Sequence, residues 1–221
     1  MVDKIFRLIY GSNHYVFEAN WANKNLDKEI KVVNIIGPPA VGKSTSIEKK
    51  LEENVLRLKR KKLLKPFDSD GFYNHLLKTH CKRIRTLKEF NDRISDVIYD
   101  SNIVEMSIFE NDVVLVDQGL PHFFYRELIH LYENDKNTFK RFVSRRGLVL
   151  LVAEPEVILK RKKRREDETG KLVKSHTGKT DSEIISYTRN ITSEYKRLLS
   201  YYNECGAYTH LVDISKQELS L

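Results

Sequence analysis

Residues 35–46 read IIGPPAVGKSTS, and Gly37, Gly42, Lys43 and Ser44 fill the pattern G-x-x-x-x-G-K-[ST]. The chemistry needs these residue types at this spacing. Glycines let a strand-to-helix turn aim several backbone N–H groups at one anion, at the positive end of the following helix. A lysine adds a mobile point charge for the β and γ phosphates, and a serine hydroxyl adds a ligand for Mg²⁺. The pattern predicts a nucleoside triphosphate cradle made of Gly37, Pro38, Pro39, Ala40, Val41, Gly42, Lys43, Ser44 and Thr45.

Two more stretches carry chemistry. The run VVLVDQG (113–119) ends an apolar segment on Asp117, the acid expected to support Mg²⁺ or its water shell. Gln118 stands where an ATPase motor often carries a catalytic glutamate. The base-reading N-K-x-D pattern of GTP switches does not follow the loop. An acid at a strand end also suits a helix cap, so both readings of Asp117 stay open. The second stretch is LKRKKRRED (159–167), with six consecutive basic residues. On a helix opened by Pro155, at roughly 100° per residue, Arg161 and Arg165 fall near the inward face and Arg164 somewhat off it. Lys160 and Lys162 fall on the flanks and Lys163 on the far side. Arginine grips phosphate oxygens with a planar fork, whereas lysine is a hydrated point charge. The pattern therefore predicts a phosphate clamp and not a nucleic-acid patch. The polar segment 166–181 that follows reads as a lid loop, with a solvated charged helix end as the plainer alternative. A second TGKT at 177–180 lacks the preceding strand and first glycine, and predicts no cradle.

The elements that must position these residues follow from hydrophobic periodicity. Short apolar runs at 30–37, 112–117, 147–153 and 207–213 read as buried strands. Between them lie helical patterns: Ile47, Leu51, Val55 and Leu58; residues 121–132; a helix from Pro155; and a helix over 182–203. Strands spaced by helices predict an α/β protein with a covered parallel sheet. Residues 63–70 are the candidate edge strand, and residues 1–28 read as an N-terminal β-hairpin extension. The whole of 1–221 reads as one domain. Hydrophobic residues make up 40% and charged residues 32%, which excludes a disordered tail, and no apolar run reaches the roughly 20 residues of a membrane-spanning helix. The first residues carry an early acid and no long apolar core, so no secretory signal is expected. Cys81 and Cys205 stand far apart, as thiols of a reducing cytoplasm would. A net charge of +8 favours anionic partners.

GPPAVGKS, VLVDQG, VAEPEVILKRKKRRED and THLVDIS together resemble the P-loop nucleoside and nucleotide kinases, thymidylate-kinase-like and deoxynucleoside-kinase-like proteins included. The resemblance implies a three-layer fold with a five-stranded parallel sheet of order 2-3-1-4-5 flanked by helices. It also implies ATP and Mg²⁺ as cofactors, with Ser44 and Asp117 at the metal. Asp213, Ile214 and Ser215 would lie near the adenine, and Arg161, Arg164 and Arg165 would form the lid. An acid at the end of the second strand, Asp70 before Asp68, would act as general base or orient the acceptor; a helix N-cap is the competing role for Asp70. Tyr73, Arg83, Arg93 and Gln118 are further acceptor candidates. Gln118 occupies the position where the resembled proteins carry an arginine, which leaves the acceptor unassigned.

The expectation is an ATP-dependent phosphotransferase acting on a small molecule: a nucleoside, a nucleotide or a related metabolite. A sugar or cell-surface polysaccharide intermediate, or a polynucleotide end, is the alternative acceptor. A nucleotide-binding regulatory module is the non-enzyme alternative. Nucleic acid is a less favoured partner, and a homodimer is compatible with the sequence.

Overall fold

The computed structural model describes residues 32–43, 76, 86–110, 114–117, 119–170 and 177–215. Four of the apolar runs form strands: β1 (Val32–Ile36), β2 (Val114–Asp117), β3 (Arg146–Val152) and β4 (Tyr208–Asp213). All neighbours pair in parallel, in the order β2-β1-β3-β4. This corrects the five-stranded sheet of order 2-3-1-4-5. Four runs are apolar enough to lie between two covered faces; a fifth strand was carried by the resemblance and by the weakly patterned 63–70. That segment lies outside the described residues, as do the 1–28 hairpin and the Ile47–Leu58 stripe.

Parallel strands need both faces buried, and the residues show it. Ile36, Leu148, Leu150 and Val152 face one cluster, while Val33, Ile35, Val149 and Leu151 alternate to the other face and are buried too. Six helices are described: α1 (Leu87–Glu110), α2 (Leu120–Phe123), α3 (Tyr125–Asn134), α4 (Lys136–Val143), α5 (Pro155–Thr169) and α6 (Asp181–Glu204), of which all but α5 contribute residues to the first cluster or pack against it. Val97, Leu128, Phe139, Ile191, Tyr195, Leu198 and Tyr202 fill the space beneath them. Tyr202 meets Phe139 edge-on at 5.5 Å. Cys205 is buried at the rim of this core.

The helix expected over 121–132 is instead two helices with a break at Phe124, followed by α4, which periodicity did not reveal. Asp135 caps α4 by accepting from the Thr138 amide at 3.0 Å. α5 runs to Thr169 before Gly170 takes the left-handed conformation at φ 63°. The polar 166–181 segment is therefore helical in its first residues. At its other end Thr180 and Glu183 form a reciprocal capping box on α6. The TGKT at 177–180 thus has a structural duty: it starts a helix. No helix among the described residues is long and apolar enough to cross a membrane.

Because the strands are parallel, their carboxyl ends share one edge. Ile35 pairs with Asp117, Ile36 with Leu150 and Val152 with Asp213. Ligands of open α/β sheets bind at this edge.

Candidate functional site

β1 delivers the chain into the loop Gly37–Lys43. The turn is tight: a Cβ added to Gly37 would come within 2.5 Å of the Leu151 carbonyl oxygen. Val41 N–H donates to the Pro38 carbonyl at 3.3 Å. Gly42 has φ 103°, and Ala40 adopts φ 63°, a conformation that costs a non-glycine residue roughly 1 kcal/mol. Such backbone persists where the surrounding structure enforces it, most often at functional sites. Lys43 curls back over the loop, with Nζ donating to the carbonyls of Gly37 at 2.8 Å and Pro38 at 3.1 Å. It is only 5% exposed. The two carbonyls offset part of the cost of burying the ammonium, and anionic oxygens in their place would offset more.

On the β2 side of the loop the chain passes Asp117 and reaches Gly119. A Cβ on Gly119 would lie 2.3 Å from Asn34 Nδ2 and 2.8 Å from Val116 Cγ1, so β1 and the start of α2 approach as closely as only glycine permits. Asn34 is fully buried, and neither Nδ2 nor Oδ1 has a hydrogen-bond partner. One turn on, His122 Nδ1 lies 2.9 Å from the Tyr195 hydroxyl. Burial, then the neighbouring charges of Lys43 and Arg93, lower the His122 pKa to about 3, so the ring is neutral. Burial pushes the Tyr195 hydroxyl well above its usual range, with Tyr125 and Tyr187 adding to it. Tyr195 therefore stays protonated and can donate to Nδ1, leaving Nε2 as the N–H of the ring.

Around this pair stand aromatic rings and cations. Arg93 lies 4.3 Å over the Phe123 ring and bonds Asp96 at 2.6 Å. Arg126 lies 5.4 Å over Tyr125, and Lys179 4.1 Å over Tyr187. Tyr125 meets Tyr195 edge-on at 5.1 Å. Of the acceptor residues expected from sequence, Arg93 is brought to this wall. His122, Phe123, Tyr187 and Tyr195 were missed, since a lone histidine in PHFFY and tyrosines at helical spacing read as core. Asp68, Asp70, Tyr73, Arg83 and Gln118 lie outside the described residues, as do Ser44 and Thr45. The backbone of Asp117 ends β2 beside the loop, and its side chain lies outside the description.

On the β4 side, Arg161 reaches out of α5 to bond two carbonyls, Ile214 at 2.7 Å through Nη2 and Val41 at 3.3 Å through Nη1. Asp213 Oδ1 accepts from the Ser215 amide at 2.8 Å and its hydroxyl at 2.5 Å, and Ile214 is buried. The rest of the basic run corrects the simple division into inward arginines and outward lysines. Lys162 is buried at 9% exposure, beside Glu166 at 3.1 Å, whereas Arg164 and Arg165 are exposed. The inward face of α5 is set by Ile158, Arg161 and Lys162, a row at three- and four-residue spacing. Arg165 continues that row but is exposed, which corrects its expected inward position.

Among the described residues no group of three or more His, Cys, Asp or Glu side chains could hold a metal. No protein-family model matches the chain, and no curated protein sequence matches it.

Proposed function

We propose that this chain is an ATP-dependent phosphotransferase that moves the γ-phosphoryl group to a small acceptor. The observation that carries the reading is the loop Gly37–Lys43. It has positive φ at Ala40 and Gly42, and a buried lysine ammonium resting on its own carbonyls, at the carboxyl edge of a parallel sheet. That arrangement suits a polyphosphate, whose oxygens would replace the two carbonyls at Lys43. The donor would lie on residues 37–45. A bound Mg²⁺ would supply charge neutralisation for the phosphates. Ser44 and Asp117 are the residues that would hold it, the remaining positions being filled by phosphate and water as is usual for this ion.

The acceptor would lie on the β2 side, where Arg93, Phe123, Tyr187 and Tyr195 gather around His122, which is close enough to Lys43 to feel its charge. Flat aromatic faces flanked by cations suit an acceptor with a planar ring and negative charge, which favours a nucleoside or nucleotide over a sugar. His122 cannot serve as a strong base with its pKa near 3; it is suited to donating a hydrogen bond from Nε2. The proton of an acceptor hydroxyl would go to a carboxylate, for which Asp70 and Asp68 are the candidates. Arg164 and Arg165, at the exposed end of α5, would supply charge on closure. Catalysis in such reactions comes mostly from positioning and electrostatics.

The test is an ATP-consumption screen across nucleosides, nucleotides, sugars and oligonucleotides, with Lys43→Ala as control. The reading expects ADP release that one acceptor class stimulates and that Lys43→Ala abolishes. ATP binding with no acceptor-stimulated turnover would instead support a non-catalytic nucleotide module. Stimulation by oligonucleotides alone would support a polynucleotide kinase.

A further inference from the structure

We infer that Arg161 is a positioning residue that ties the loop Gly37–Lys43 to the turn after β4 and thereby sets the spacing between two halves of the nucleotide site. The inference rests on the nucleotide reading above.

Three segments meet at this guanidinium. Val41 belongs to the loop, 120 residues away in sequence, and Ile214 to the turn, 53 residues away. Both contacts are to backbone carbonyl oxygens, so their geometry follows the main chain and not a mobile side chain. A planar guanidinium with several N–H groups in a fixed fork can hold two carbonyls at a set separation; a lysine ammonium on a flexible stem cannot. Burial lowers the Arg161 pKa, and neighbouring Arg164 adds to this while Asp213 opposes it. The group is thus partly withdrawn from water, and its bonds count for more than surface contacts.

The turn is fixed at its other end as well. Ile214 N–H donates to the Val152 carbonyl at 2.8 Å, and Glu154 N–H donates to Ser215 Oγ at 2.9 Å. Ile214 and Val41 are both fully buried. Residues 213–215 are therefore a rigid block seated on the end of β3, and Arg161 is the strut from that block to the phosphate-contacting loop. A ligand with phosphates on the loop has two directions to run along the sheet edge. The β2 side carries the aromatic and cationic wall, which leaves the β4 side, with the 213–215 block, for the rest of the donor nucleotide. An arginine holding both halves does not itself need to touch phosphate. Its effect should appear only with ligands long enough to engage both.

The experiment compares Mg-ATP with Mg-tripolyphosphate by calorimetry on the full chain, for wild type, Arg161→Lys and Arg161→Met. Arg161→Lys keeps the charge and loses the fork. It should weaken ATP binding about five- to tenfold and leave tripolyphosphate binding within about twofold, the scale of one or two lost hydrogen bonds. Arg161→Met should lose at least as much for ATP. Thermal melting of each variant separates loss of binding from loss of fold, and the lysine variant serves if the methionine variant does not fold. Equal loss for both ligands in Arg161→Lys, or no loss for either, overturns the strut. A wild-type chain that binds ATP no better than tripolyphosphate overturns it too. Wild type that binds neither ligand overturns the nucleotide reading itself, and the strut with it.

Discussion

His122 Nδ1 and the Tyr195 hydroxyl lie 2.9 Å apart, joining α2, the helix after β2, to the long helix α6. The two residues are 73 positions apart in sequence. Their contact places a neutral imidazole within the influence of Lys43 and Arg93.

That imidazole makes stability sensitive to acid. The folded chain binds a proton at His122 only near pH 3, while the unfolded chain binds it near pH 6.5. Between these values the unfolded state holds more protons, so stability is lost as pH falls from about 6.5 toward 3 and is unaffected above that window. Urea midpoints at pH 7.5 and 4.5 should fall more for wild type than for His122→Gln. His210, lowered to about 4 by burial, contributes in both proteins and drops out of the difference. Parallel losses in the two proteins would show that His122 is not the sensor.

Asn34 marks a position where stability can be gained. Its amide is fully buried without a partner, at a cost of about 1–3 kcal/mol. Asn34→Leu, nearly the same shape, removes that cost and should raise the melting temperature by about 2–4 °C per kcal/mol recovered. A lower melting temperature would mean that the site tolerates no apolar side chain there.

Arg146 and Asp100 form a bidentate pair at 2.9 and 2.7 Å, both nearly sealed from solvent, with Phe142 stacked 4.3 Å from the guanidinium. Removing one partner leaves the other charge buried without this counter-ion. Arg146→Met or Asp100→Leu alone should cost about 3–5 kcal/mol, and the double variant should recover most of it. Chemical denaturation of the three variants measures this directly. An additive double variant would deny the coupling.

The basic run should divide by burial, not by residue type. Lys162→Ala should lower stability by about 1 kcal/mol, since its stem is packed and its ammonium meets Glu166 at 3.1 Å. Arg164→Ala and Arg165→Ala should leave stability within about 0.5 kcal/mol, as exposed positions do. Under the proposed reaction they should lower turnover instead. Melting temperatures and initial rates read the two effects separately, and a stable Lys162→Ala with wild-type melting would refute the division.

The sequence by itself determined the parts that depend on neighbours along the chain. The glycine and lysine spacing of residues 37–43 marks a tight loop after β1 that turns back on its own lysine, because backbone freedom and charge at that loop are local properties. The four strands and the helices opening at Pro155 and near Ser182 are legible for the same reason: periodicity records which face of an element is buried. Only tertiary structure decided how many strands pair, since a strand's existence depends on a neighbour to bond with, and four do so among the described residues. Packing likewise decided the fate of the basic run. Helical phase placed Arg161 and Arg165 inward, but only the approach of Val41 and Ile214 made Arg161 a strut, and Arg165 lies in solvent. The His122 and Tyr195 pair was invisible in sequence. Each residue alone looks like core, and the chemistry arises when the fold closes 73 positions to hydrogen-bond distance.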